Sequence, residues 1–267
     1  MKTYQTIEFQ IQEQIAYLYF NRPDVRNAFN DQMIQELHEL LDSLSSDPNL
    51  HALVIRGNGK VFSAGADLNW MKNQVHYTYQ ENVQDAQRMY ELFDKLYQLP
   101  VPTISIVHGA AIGGANGILA ASDIVLAETQ TQFRFSEVKL GLLPATIAPF
   151  VINRTGKSAA KYYMLTGKIF KVGDALRIGL IDSVGSLESL ETELDIVIKE
   201  ILKNSSNAVK ETKKLLNNIE HNMLKGMAAE YSADMIAKAR ISEDGQEGMK
   251  AFLEKRKPSW LTTKSVK

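Results

Sequence analysis

The sequence contains no cysteine among its 267 residues. Disulfides, thiolate nucleophiles and cysteine-based metal sites are therefore excluded, and a reducing compartment such as the cytoplasm is expected. Charge of one sign is not in excess either, because 30 Lys and Arg face 31 Asp and Glu, for a net charge of −1. We therefore expect neither nucleic acid nor an anionic membrane surface as a partner.

We also expect neither a targeting segment nor a membrane anchor. The N-terminal stretch MKTYQTIEFQIQ lacks the apolar core of a signal peptide, so we expect the mature chain to start near Met1. The most apolar stretch, 99–127, approaches the length of a membrane span, but Pro100, Pro102 and Asp123 argue against that interpretation. We interpret it as a strand, a glycine turn, a helix and a second strand inside a globular core.

Hydrophobic periodicity in the first half of the chain predicts an α/β fold. Alternation predicts a hairpin of strands 6–11 and 15–20, and helical spacing predicts a helix that Asn30 caps. Further strands are predicted within 51–57, 102–109, 123–128 and 132–135, and a second long helix over 78–97.

The chain beyond Pro144 is predicted to be almost wholly helical, and Pro144 itself suits the first turn of a helix. The predicted helices cover 145–154, 157–165, 172–178, 188–203, 206–219, 224–240 and 243–256. Because no linker or composition break divides the chain, we predict an α/β core over 1–195 that continues into a C-terminal helical region over 196–267.

Two segments share a design in which a strand ends in small residues and leads into a helix: ALVIRGNGKVFSAGADLNWM and TISIVHGAAIGGANGIL. Amides at a helix N-terminus have no intrahelical partner, so each segment can direct N–H donors at an anion. The predicted donors are the amides of Ala64 and Gly114, with Ser63, Gly65 and Gly113 kept small for a ligand carbonyl. The alternative is that these glycines only permit close packing of helix on strand.

A dinucleotide-binding fingerprint is a competing interpretation of the second segment. GAAIGG follows a strand, and Glu128 ends the next one, as an acid does in such a fingerprint. However, alanine occupies the second glycine position, and FSAGAD is left unexplained. The string TGKS at 155–158 does not form a phosphate loop, because Val151 stands where the first glycine is required.

Four motifs in order resemble the enoyl-CoA hydratase/isomerase (crotonase) superfamily: VFSAGADL, GAAIGGANG, FRFSEVKLGLLPA and EGMKAFLEKRKPSW. The resemblance covers almost the whole chain. It implies an α/β, crotonase-like spiral of ββα turns with a C-terminal helical region that builds a homotrimer, commonly paired into a hexamer, and completes the CoA site.

The resemblance also assigns the chemistry. Ala64 and Gly114 would hold the oxygen of an acyl-CoA thioester, and Glu137 would be the acid/base group, with its pKa raised by an apolar pocket. Gly117 occupies the position where hydratases of the family usually carry another glutamate. The pattern with one glutamate is found in isomerases of the family and in a subset of its hydratases.

Binding residues follow from the same motifs. The resemblance places Arg26 near the CoA phosphates, backbone from Ala64 to Asp67 at the adenine, and Phe252 and Lys255 at the nucleotide of a neighbouring subunit. The predicted CoA-binding residues are Arg26, Ala64, Gly65, Ala66, Asp67, Phe252 and Lys255, and the predicted pocket residues are Trp70, Met71, Gly113, Gly117 and Pro144. As a first-turn acid, Asp67 is more typical of a helix cap, and Trp70 and Met71 could equally be core residues.

The strings EVKLGLLPATIAPFV and ISEDGQEGMKAFLEKRKPSW resemble bacterial 3-methylglutaconyl-CoA and γ-carboxygeranoyl-CoA hydratases of leucine and terpene breakdown. We therefore expect a hydratase for a branched enoyl-CoA, either carboxylated or uncharged. Arg134 would either meet a substrate carboxylate or face solvent. Alternatives are a Δ3-Δ2-enoyl-CoA isomerase and a non-catalytic CoA-binding scaffold. RNA binding, known for one relative, is disfavoured by the near-neutral charge. No cofactor and no metal are expected, since none of the histidines has a ligand partner at useful spacing.

Overall fold

Two β-sheets form the framework of the computed structural model, which describes residues 3–224, 234, 238 and 242–262, with backbone alone for 220–224, 252 and 253. The larger sheet has six strands in the order β1-β2-β3-β4-β6-β9, and the smaller has three in the order β5-β7-β8. The strands are β1 Ile7–Gln12, β2 Ile15–Phe20, β3 Ala52–Gly57, β4 Thr103–Val107, β5 Ala110–Ile112, β6 Ile124–Glu128, β7 Gln132–Arg134, β8 Phe170–Lys171 and β9 Ser183–Gly185.

Strand direction follows the composition of the strands. The opening hairpin is antiparallel, with Ile7 opposite Phe20, and β1 at the sheet edge is mostly exposed. From β2 to β9 all neighbours in the large sheet are parallel, and β4 (TISIV) is buried at every position. Burial at every position is typical of a parallel strand that is covered on both faces. The predicted α/β class is therefore confirmed, with the sheet winding as a spiral.

Helices connect and cover the sheets. Their bounds are α1 Asp31–Ser45, α2 Leu68–Gln74, α3 Tyr79–Gln98, α4 Ala115–Ala121, α5 Ala148–Thr166, α6 Val172–Arg177, α7 Leu187–Leu202, α8 Ser206–Leu224, α9 Glu243–Leu253 and α10 Ser259–Thr262. The side chain of Asn30 accepts a hydrogen bond from the amide of Met33, which confirms the predicted N-cap. Thr78 and Glu81 form a capping box that starts α3.

Three details differ from the sequence-based expectation. Pro144 precedes a turn rather than a helix, because α5 begins at Ala148 and Pro149 is the proline of its first turn. The two helices predicted on either side of residue 156 form one element that kinks at Gly156, where φ is +75°. The strands β5, β8 and β9 were not predicted, since two or three residues are too few for a periodic pattern.

The chain divides into two compact units. The first comprises the chain up to Leu99 together with Thr103–Thr192, and the second comprises Pro100–Pro102 and the chain from Glu193 onward. The first unit holds both sheets. The second contains α8, α9 and α10, while most of the helix predicted over 224–240 lies outside the described residues. In the described part of the chain, no helix is long and apolar enough to cross a membrane.

Candidate active site

Two loops of the first unit lie side by side. The amide of Ser63 donates to the carbonyl of Ala110 at 3.1 Å, and the amide of Ile112 returns a bond of 3.1 Å to the carbonyl of Ser63. Gly65, with φ of +88°, permits this approach, since a Cβ there would lie 2.7 Å from the carbonyl oxygen of Ile112. The loop before α2 is thereby held against the turn before α4.

The amide that the first loop can offer to a ligand is not the one predicted. The N–H of Ala64 donates to the carbonyl oxygen of Arg26 at 2.9 Å, so Ala64 is not an available oxyanion donor. Among the residues that the structure describes, no acceptor is bound to the N–H of Ala66 or of Gly114. The prediction of Ala64 is therefore corrected to Ala66, and Gly114 is retained as the other candidate. An isolated parallel β-bridge pairs Ala66 with Phe29, which is distant along the chain.

A cavity of about 450 Å³ opens next to these amides. Its size lies within the range of small-molecule sites. The lining includes the predicted residues Trp70, Met71, Gly113 and Pro144. The other described lining residues are Phe29, Ala64, Ala66, Leu68, Gln74, Asn82, Asp85, Ala86, Met89, Gly114, Ser136, Glu137, Leu140, Leu142, Leu143 and Thr146. The structure thus brings the loop, the turn and Glu137 together around one largely apolar space.

Glu137 starts the short helical turn Glu137–Leu140 that follows β7. Its Oε2 is buried with no hydrogen-bond partner, and burial raises the pKa of this carboxyl above 4.5 against the hydrogen bonds from backbone. A Cβ at Gly113 would lie 3.3 Å from Oε1, so the carboxyl sits directly beside the turn that carries the Gly114 amide. A buried carboxyl with an open oxygen and a raised pKa is suited to proton transfer.

Gly117 does not belong to the cavity, which corrects its prediction as a pocket residue. It lies buried in α4, where a Cβ would come within 2.6 Å of Cγ2 of Ile147 and 2.7 Å of the Phe93 ring. Side chains from two other elements therefore fill the space that a glutamate would need. No local sequence signal could have revealed this, because Phe93 and Ile147 are both distant from Gly117 along the chain.

Asp67 holds the shape of the loop. As N-cap of α2, its Oδ1 accepts hydrogen bonds from the amides of Asn69 and Trp70. Its Oδ2 accepts a hydrogen bond of 2.9 Å from the guanidinium of Arg22. Burial opposes charge here, but these hydrogen bonds outweigh it and lower the pKa of Asp67. Its N–H donates to the carbonyl of Phe29. The N-cap prediction is confirmed, while the expected contact of this backbone segment with CoA stays a prediction.

A second carboxylate in the cavity was missed. Asp85 lies on α3 and accepts a hydrogen bond of 2.8 Å from Nε2 of Gln74, the last residue of α2. Asp85 and Met89 are four residues apart and both line the cavity, so this face of α3 covers the site. Because most of α3 is exposed, its sequence pattern did not distinguish this face.

The remaining predicted residues lie elsewhere. Arg26 is exposed, with φ of +55°, and its carbonyl holds Ala64. Arg134 does not line the cavity, and its side chain is half-buried. Its Nε donates a hydrogen bond of 2.9 Å to the carbonyl of Gly167. Lys255 is exposed in the second unit, and the side chain of Phe252 lies outside the described part of the chain.

Comparison with known proteins identifies the family of the chain. The family model described as enoyl-CoA hydratase/isomerase matches residues 10–263. A putative enoyl-CoA hydratase of Thermus thermophilus is 32% identical over 248 residues, which cover 91% of this chain and 96% of that protein. A trans-2-decenoyl-acyl-carrier-protein isomerase of Streptococcus mutans is 30% identical over 264 residues, which cover 96% and 98%.

The solved structures agree as well. The crystal structure of an enoyl-CoA hydratase from Shewanella pealeana matches with a TM-score of 0.92 and 37% identity, covering 96% of each chain. The family model also matches nearly the whole sequence. The chain belongs to the enoyl-CoA hydratase/isomerase family of the crotonase superfamily.

Proposed function

We propose that this chain is an enoyl-CoA hydratase that adds water across the 2,3 double bond of a branched enoyl-CoA. The thioester oxygen would lie between the amides of Ala66 and Gly114, and the acyl chain would occupy the cavity between α2, α3 and the turn after Glu137. CoA enters as part of the substrate, and the proposal needs no further cofactor.

The chemistry requires one group that moves a proton and one site that stabilises an oxyanion. The Glu137 carboxylate takes a proton from water as the water oxygen bonds to C3, and the π electrons pass to the thioester oxygen as an enolate. The enolate then collapses, and Glu137 returns the proton to C2. Each oxyanion donor is typically worth about 3 kcal/mol of transition-state stabilisation.

One observation carries the proposal: the buried, unpartnered Oε2 of Glu137 lies in the same cavity as the two unbonded amides. A structural carboxyl in such a place would be paired, since an unsatisfied buried polar group costs about 1–3 kcal/mol. A catalytic carboxyl needs an open oxygen for water or for a substrate proton.

Double-bond migration is the second candidate. An isomerase lifts a proton from one carbon and returns it to another, and a single carboxyl can perform both steps. Filling of the space above Gly117 by Phe93 and Ile147 favours a one-carboxylate mechanism, which hydration and migration share. The isomerase among the relatives keeps this alternative open.

Assembly and location remain predictions. We propose a homotrimer, paired into a hexamer, in which Lys255 and Phe252 of one subunit contact the CoA nucleotide bound to a neighbouring subunit. A cytoplasmic location is proposed from the absence of cysteine. Sedimentation of the purified chain tests the assembly, and a monomer at working concentration would contradict it.

The test of function is a paired turnover assay. The purified chain is offered a branched 2-enoyl-CoA and the corresponding 3-enoyl-CoA, and products are identified by mass spectrometry. We expect a mass gain of one water from the 2-enoyl-CoA. Migration of the double bond in the 3-enoyl-CoA without hydration would establish the isomerase, and turnover of neither would leave the non-catalytic scaffold.

A further inference from the structure

The acyl cavity contains a carboxylate that the proposed reaction does not use. Asp85 is half-buried on the face of α3 that lines the cavity, and its Oδ2 accepts the 2.8 Å hydrogen bond from Gln74. Burial raises the pKa of its carboxyl, against the hydrogen bond from Gln74. A raised pKa means that its surroundings disfavour negative charge.

No positive side chain lines the cavity among the residues that the structure describes, while two acids do, Asp85 and Glu137. Arg88, one turn from Asp85 along α3, is directed to Asp31, with N–O distances of 3.5 Å to its carboxylate and 3.1 Å to its carbonyl. Arg134 donates to Gly167 instead. Burial raises the pKa of Asp85 by more than the charge of Arg88 lowers it, and Arg88 does not line the cavity. A negatively charged ligand group there would therefore meet Asp85 and Glu137 with no cation among the described lining residues.

We propose that Asp85 is a specificity-determining residue that excludes acyl groups with a terminal carboxylate and restricts the pocket to uncharged chains. This inference rests on the proposed function, since it assumes that the cavity takes the acyl chain. A substrate carboxylate would lose its hydration there and face a like charge, which is unfavourable on both counts. An uncharged chain is accommodated by Trp70, Leu140 and Leu142.

Branching and a terminal carboxylate of the acyl group have different consequences in this cavity. A branched acyl chain is compatible with the leucine-rich wall at Leu140, Leu142 and Leu143. The carboxylate of 3-methylglutaconyl-CoA is not, because the one arginine considered for it, Arg134, is engaged with the backbone outside the cavity.

Equilibrium binding tests the proposal without relying on turnover. The ligands are a saturated acyl-CoA with a terminal carboxylate and the corresponding primary amide, which has the same shape without the charge. Calorimetry on the wild type is expected to give a preference for the amide of at least about tenfold. In Asp85→Asn, which retains a hydrogen-bonding side chain toward Gln74, the preference should fall to within about threefold.

Glu91→Gln is the matched control, because it removes one negative charge from an exposed position of the same helix and should leave the preference unchanged. Equal or tighter binding of the carboxylate by the wild type, or an unchanged preference in Asp85→Asn, would overturn the proposal. If the chain prefers the amide ligand but does not hydrate an uncharged enoyl-CoA, only the proposed function is contradicted. Failure of both ligands to bind would remove the acyl site and both proposals.

Discussion

The N–H of Ala64 and the carbonyl oxygen of Arg26 are joined by a hydrogen bond of 2.9 Å. This bond occupies one of the amides in the loop before α2 and leaves that of Ala66 unbonded. The two positions therefore differ in what they can do for a substrate, although both are alanine and both line the cavity.

Replacing single amides by esters tests this difference. Lactic acid in place of Ala66 removes the N–H but keeps the methyl group, and we expect kcat to fall about 10²- to 10³-fold. The same replacement at Ala64 removes only the bond to Arg26 and should lower stability with a much smaller effect on kcat. The reverse order of the two effects on kcat would restore Ala64 as the donor.

Stability is expected to depend on pH through Glu137. Its pKa in the folded chain is raised above 4.5 by burial, so the folded state retains a proton that the unfolded state loses. The stabilisation is complete below pH 4.5 and is lost as pH rises through the folded-state pKa. The unfolding free energy of wild type minus that of Glu137→Gln should therefore decrease over this range. Urea titrations at several pH values measure it, and a difference that rises with pH would mean that the carboxylate form is stabilised instead.

Gly117 is expected to be indispensable for packing. In Gly117→Ala the new methyl group would meet Phe93 and Ile147 at under 3 Å, and we expect a loss of about 1–3 kcal/mol in unfolding free energy. Gly173→Ala is the matched control, because it also lies in a helix but no atom lies within 4 Å of its added Cβ. That variant should be neutral or gain up to about 1 kcal/mol. Equal stability of the two variants in thermal or urea unfolding would contradict the packing at Gly117.

Local signals account for what the sequence could predict. Asn30 and Asp67 were recognised as helix caps because the pattern that identifies a cap spans only a few neighbouring residues. The α/β order followed from the apolar runs of β3, β4 and β6, and Glu137 from its motif.

The errors share a different cause. The role of Ala66 depends on a hydrogen bond between Ala64 and Arg26, and the environment of Gly117 depends on Phe93 and Ile147. In each case the deciding partner is distant along the chain and is brought close only by the tertiary fold. A motif shows which residue types are present, but it does not show which amide is already bonded or which space is already filled.

The central claim is that Glu137 moves the proton of the reaction, and hydration of a 2-enoyl-CoA by Glu137→Gln tests it most directly. The amide keeps the size of the side chain but cannot accept a proton from water, so kcat should fall about 10²- to 10⁴-fold while the CoA thioester still binds. Hydration by Glu137→Gln at the wild-type rate would contradict the account and place the acid/base group elsewhere.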